Sequence, residues 1–108
     1  MTLYVFDTDS FSLYQNSHPR VVANIVRHRS DRLVLTVVTV DEQVSSWLHA
    51  VRNATTALRE QNASRRLAET VESYSDWPIL PEAGGIVVTR NLRDFRRVPN
   101  LVCEDWSV

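Results

Sequence analysis

The sequence predicts an α/β fold built on a largely parallel sheet, and three observations predict it. Apolar, β-branched runs recur along the chain at Leu3-Tyr4-Val5-Phe6, Leu33 to about Val38, and Ile86-Val87-Val88. Between them lie segments whose apolar residues repeat at the helical period, an alternation that builds parallel sheets. Finally, each of these runs leads into a carboxylate or amide: Asp7 after the first, Glu42 after the second, Asn91 and Asp94 after the third. In an open parallel sheet the ligand crevice lies beyond the carboxyl ends of the strands, so such residues converge in space although distant in sequence.

The elements follow in order. The strand 3–6 feeds Asp7-Thr8-Asp9-Ser10, where Asp9 or Ser10 can cap a short helix through Tyr14. Pro19 sits at a favoured first helical position, and Val21, Val22, Ile25 and Val26 form the next helix's apolar stripe. After the strand from Leu33 to about Val38, Val40, Val44, Trp47, Leu48 and Val51 recur at the 3.6 period, marking an amphipathic helix whose core face excludes Glu42. A longer, more polar helix is expected from about Thr55 to Tyr74, its buried face set by Leu58, Leu67, Val71 and Tyr74. Ile79-Leu80 forms a short apolar piece, the adjacent Gly84-Gly85 pair breaks the chain, and Ile86 to Val88 is a strand. A turn or two of helix from Asn91 to Val98 and a last strand from Leu101 to Cys103 complete the order β-α-α-β-α-α-β-β-α-β.

With 108 residues the chain is a single domain, short for a doubly wound fold with all its crossover helices. The formal net charge of -1 does not call for nucleic acid, yet all 12 basic side chains are arginine, the residue suited to bidentate phosphate contact. An all-arginine set equally reflects a GC-rich genome. The single cysteine, Cys103, lies in an apolar run and reads as a buried thiol in a reducing compartment. Neither a signal-peptide pattern nor an apolar run of the roughly 18 residues a membrane span needs is seen, so a soluble, cytoplasmic protein away from membranes is expected.

Each candidate site residue has an ordinary structural reading beside the chemical one. Asp7 can be a turn aspartate accepting backbone N–H groups, and Asp9 a helix cap. Thr39-Val40-Asp41-Glu42 reads as a capping box with Glu42 reaching back from the third helical position. Asn91 can cap the short helix carrying Asp94, which would act through the helix dipole. Their joint placement at three strand ends points instead to a shared acidic centre of oxygen ligands, the kind hard divalent cations take. Arg90, Arg93, Arg96 and Arg97, the densest basic cluster, lie beside it, as a solvated face or as phosphate contacts. His18, His28 and His49 read as surface or boundary residues, Trp47 as core, and Trp77 and Trp106 as packing between helix and sheet.

Asp7-Thr8-Asp9 after a strand, Thr39-Val40-Asp41-Glu42-Gln43 opening a Trp-containing helix, and the stretch from Val88-Thr89-Arg90-Asn91-Leu92-Arg93-Asp94 through Leu101 followed by Glu104-Asp105-Trp106 together resemble the PIN-domain family. The likeness is to VapC-type toxins of bacterial toxin–antitoxin pairs and covers nearly the whole chain. It implies a parallel sheet of order 3-2-1-4-5, a Mg2+- or Mn2+-dependent ribonuclease acting on RNA phosphodiesters, and a cognate antitoxin partner that covers the site. Carried over by position, the site falls on Asp7, Glu42, Asn91 and Asp94, with Asp7, Glu42 and Asp94 as metal ligands and the four arginines as RNA contacts.

One departure matters. The family places two helices between the strand matching Trp77-Pro78-Ile79-Leu80 and the strand matching Ile86-Val87-Val88, and an essential aspartate begins the second helix. Here five residues separate Leu80 from Ile86, and nothing replaces that aspartate. The resemblance is thus to a PIN domain over residues 1–108 without its central helical segment. Five residues look too few to cross the sheet and return to the start of a parallel strand, so the expectation is a strained closure relieved in one of two ways. Either Ile79-Leu80 becomes connector and leaves four strands, or the segment from Ile86 docks in a second copy, giving a domain-swapped dimer. Loss of the helices also exposes apolar sheet, so a homo-oligomer is expected. The alternative to the nuclease is a non-catalytic remnant that self-associates or binds an antitoxin.

Overall fold

Strand β1, Leu3–Phe6, is the central strand of the computed structural model, which describes residues 1–82, 84–95 and 97–108. Asp7 follows it and caps helix α1 (Thr8–Gln15). That helix ends on Ser17, whose φ of 59° lies in the left-handed region. The Ser17 N–H bonds the Tyr14 carbonyl and the His18 N–H that of Leu13, the paired closure of a Schellman motif. Helix α2 (Pro19–Arg27) opens with proline in its first turn, and the His18 ring Nδ1 accepts the Val21 N–H at 3.3 Å. Strand β2 (Arg32–Thr36) runs directly into α3 (Val37–Arg52), which packs on α4 (Ala57–Ser73) as an antiparallel pair. A 3-10 turn, Tyr74–Asp76, leads to β3 (Ile79–Leu80); then come β4 (Ile86–Val88), α5 (Leu92–Phe95) and β5 (Cys103–Glu104).

The five strands form one sheet of order β3-β2-β1-β4-β5, parallel throughout, as the sequence leads one to expect. Both earlier escapes from the short β3–β4 link are unnecessary for closure: Ile79-Leu80 keeps its strand role beside Leu35-Thr36, and a single copy makes all four pairings. The reason is geometric. Leu80 is level with Thr36, and the register places Ile86 three residues lower, opposite Tyr4. The link therefore covers about 14 Å sideways and about 10 Å back, and these legs combine as a diagonal of roughly 17 Å rather than adding. Six Cα steps reach about 20 Å. Strands this short make a helix-free crossover possible.

One face of the sheet carries Tyr4, Phe6, Leu35 and Val88 against Phe11 of α1, Val21 of α2, Tyr74, Trp77 and Trp106. Phe6 is the hub, with Trp77 and Trp106 edge-on to it at 4.9 and 5.2 Å between ring centroids. Such pairs add about 0.5–1.5 kcal/mol each beyond the area they bury. The tryptophans thus wedge helix against sheet, as expected.

Four readings are corrected. Strand β2 stops at Thr36, where its pairing with β3 ends, so Val37 and Val38 become the exposed first turn of α3. The core face of α4 is Ala63, Thr70 and the following Tyr74, with Leu58 and Val71 exposed, because the helix packs on α3 through small and polar side chains. Cys103 is half-buried on an edge strand rather than enclosed. Asp9 is exposed and caps nothing, because Asp7, two residues nearer the strand end, takes that role.

The two glycines differ. A Cβ on Gly85 would sit 2.7 Å from the Leu3 carbonyl oxygen and 3.1 Å from Leu3 Cγ, whereas one on Gly84 meets nothing within 4 Å. Gly85→Ala is expected to cost about 1–3 kcal/mol through overpacking, and Gly84→Ala to be neutral or stabilising by up to about 1 kcal/mol through the unfolded chain. Urea denaturation of the two variants measures this; equal stabilities would contradict the close approach of β4 to β1.

Candidate functional site

The carboxylate of Asp7 is reached from both sides of the sheet's carboxyl edge. Its Oδ1 accepts the Ser10 N–H at 2.8 Å, which caps α1, and its Oδ2 accepts the Thr89 hydroxyl at 2.6 Å. Thr89 is fully buried just beyond β4, and the Asp7 N–H bonds the Val88 carbonyl at 3.1 Å, so ladder pairing itself sets these side chains together. Thr89 Oγ1 in turn accepts the Asn91 N–H at 2.9 Å, and the Asn91 amide donates to Asp94 Oδ2 at 2.8 Å. On the other flank, Thr8 donates to Glu42 Oε2 at 2.9 Å. All four residues singled out in the sequence, Asp7, Glu42, Asn91 and Asp94, therefore meet in one region at the strand ends. Two threonines link them.

Glu42 is not a capping residue. Helix α3 begins at Val37 with Thr36 as its N-cap, which puts Glu42 in the second turn, beyond reach of the cap position. Thr39 is buried within the helix rather than ahead of it. Glu42 instead projects, exposed, toward Thr8. The linking hydroxyls of Thr8 and Thr89 were not singled out in the sequence. The signal for Thr89 was its place directly after an apolar strand, where a polar side chain is buried only with partners.

The donors here are carboxylate, amide and hydroxyl oxygens, the chemistry of a hard cation site. Their number falls short. Among the described residues no three acidic, histidine or cysteine side chains stand close enough to hold one ion. Both Asp7 oxygens already accept hydrogen bonds, and Asp94 is held by Asn91. Asp7, Glu42 and Asp94 thus do not close as a three-carboxylate set. Arg90, Arg93 and Arg97 are exposed beside the centre, while Arg96 lies outside the described residues. The ion pair among the described residues is elsewhere, Arg65 with Glu69 at 3.8 Å, so these three arginines stay open to a phosphate.

Glu42 stands between two depressions. An apolar one of about 250 Å³ opens on the second sheet face between Val5, Thr36, Val38, Val87 and Phe95. A polar cleft of about 370 Å³ lies between α1, α3 and α4. At the base of the cleft Tyr74 donates to Gln43 Oε1 at 2.8 Å, and burial pushes its phenol above the ordinary value of 10.0.

A chain in the crystal structure of VapBC2 from Rickettsia felis bound to a DNA fragment from their promoter has this fold. The superposition has a TM-score of 0.69 at 15% identity and covers 96% of this chain and 98% of that one. No family model and no curated protein matches the sequence.

Asp7→Asn should retain the cap, since asparagine and aspartate cap equally well, whereas Asp7→Ala should lose about 1 kcal/mol from the helix end alone. Glu42→Gln keeps an acceptor for Thr8 and should leave stability within about 0.5 kcal/mol of the parent. Thermal melts compare the three; an Asp7→Asn protein as unstable as Asp7→Ala would show that the second carboxylate oxygen, which accepts from Thr89, and not capping, holds the strand end.

Proposed function

We propose that this chain is a VapC-like PIN-domain component of a toxin–antitoxin pair, built on the scaffold of a metal-dependent endoribonuclease. The observation that carries the reading is the single network joining Asp7, Thr89, Asn91 and Asp94, with Glu42 tied to its flank through Thr8, at the carboxyl ends of a 3-2-1-4-5 parallel sheet. Were Mg2+ or Mn2+ held there, it would supply Lewis-acid chemistry, lowering the pKa of a bound water and offsetting charge on an RNA phosphodiester. Asp7, Glu42 and Asp94 are the oxygen donors that would have to draw together to hold it, and Arg90, Arg93 and Arg97 are offered to the phosphates. Asp94 would have to leave Asn91 to serve as a ligand.

A second reading is favoured by the incomplete carboxylate set: a non-catalytic remnant that binds an antitoxin or associates with itself. The exposed apolar side chains Val37, Val38, Val98 and Val102 would then serve contact rather than chemistry.

Calorimetric titration of Mn2+ into the purified protein, with its solution mass measured on the same sample, separates the two. The nuclease reading expects saturable binding that Asp7→Asn abolishes, and metal-dependent cleavage of single-stranded RNA lost in the same variant. A folded protein that binds no metal and cleaves no RNA would leave the second reading, and a dimer mass would then locate the contact function.

A further inference from the structure

The polar cleft adjoins the acidic centre, since Thr8 and Glu42 belong to the one and line the other. We propose that it receives one unpaired nucleobase of the RNA strand whose phosphate lies at that centre, an inference that rests on the ribonuclease reading above.

The floor of the cleft is polar and fixed. Gln15 and Gln43 pair their amides reciprocally, at 3.2 and 2.9 Å, and each is pinned again: Gln43 by Tyr74 and Ser12, Gln15 by Ser73. Gln43 and Thr70 are buried between helices, where apolar side chains would pack without the desolvation that polar groups demand. A floor whose amides are already bonded cannot reorient, and Ser12, which accepts from Gln43, keeps its own O–H to donate to a guest.

One wall is aromatic. Trp47 is half-buried, with the Arg66 guanidinium 5.4 Å from its ring centroid. An indole and a guanidinium plane are the two surfaces on which proteins stack splayed-out RNA bases, whose edges then find hydrogen bonds. The volume of about 370 Å³ suits a small guest.

The charges select among guests. Glu42 and Glu69 also line the cleft, which repels a phosphate but accepts the N–H groups of a neutral base. An amphipathic peptide helix would need a stripe of apolar anchors that this cleft does not offer. The arginines near the acidic centre are left to hold the backbone.

The three tryptophans make the test direct. Trp77 and Trp106 are buried in the core, and the Trp106 indole N–H is held by Glu104, so only Trp47 faces the cleft. The 15N-labelled protein would be titrated with AMP, GMP, CMP and UMP, and with ribose 5-phosphate as a base-free control, while fluorescence anisotropy follows labelled single-stranded octaribonucleotides. The expected result is a saturable shift of the Trp47 indole resonance with at least one nucleotide, none with ribose 5-phosphate, and steady Trp77 and Trp106 signals. Trp47→Ala and Arg66→Ala should weaken octamer binding by roughly 5- to 100-fold, the range of a lost base stack, and Trp47→Phe should restore most of it. Unmoved Trp77 and Trp106 resonances certify that each variant is folded. An octamer that binds while Trp47 neither shifts nor matters would overturn the base pocket and leave the ribonuclease reading intact. A shift shared by ribose 5-phosphate would make the cleft a phosphate site and overturn it too, whereas no octamer binding and no shift would remove both readings.

Discussion

Everything at the carboxyl edge of the sheet depends on two hydrogen bonds accepted by one carboxylate. Asp7 takes the N–H of Ser10, in the first turn of α1, on one oxygen and the buried hydroxyl of Thr89 on the other, and so ties the start of the chain to a segment 82 residues later. Hydrogen bonds to a charged group are worth more than neutral ones, about 1.5–3 kcal/mol each. They also fix where the side chain points. A lone aspartate beyond a buried strand would be an expense; here its lone pairs are used to orient a helix and to hold Thr89, which in turn fixes the backbone of Asn91.

That economy has a chemical side. Oxygen lone pairs committed to N–H and O–H donors are not at the same moment available to a cation. The two hydrogen bonds on Asp7 and the spread of the other carboxylates point the same way: no three of these groups stand ready around one ion. Glu42, exposed and held through Thr8, is the carboxylate with most freedom to move.

The parallel α/β class was legible in the spacing of the apolar runs, the sheet order through the resemblance, and the placement of Asp7 and Asn91 just beyond β1 and β4 through the strand ends, whereas Glu42 lies in the second turn of α3. The errors arose where local rules met tertiary ones. Thr39 to Glu42 satisfies a capping box, but β2 ends earlier than its β-branched composition suggests, and the helix simply starts sooner. The face of α4 was misjudged because Leu58 and Val71 look like core residues, while the residues the helix buries are Ala63 and Thr70. The five-residue crossover looked prohibitive because its sideways and backward legs were taken to add, whereas they combine as a diagonal, and no sequence pattern reveals how short the paired segments are. The Gln15–Gln43 pairing could not be read at all, since it joins residues 28 positions apart through side-chain amides.

The order β3-β2-β1-β4-β5 makes β1 both the earliest strand and the central one, and its second neighbour is not made until residues 86–88. On the ribosome, a chain synthesised only as far as β3 has a finished aromatic cluster around Phe11 and Trp77 but a bare edge along Leu3–Phe6. Unpaired apolar edges recruit other strands. The brevity of the β3–β4 link then has a kinetic benefit: only about six residues of further synthesis separate the exposed edge from the strand that seals it.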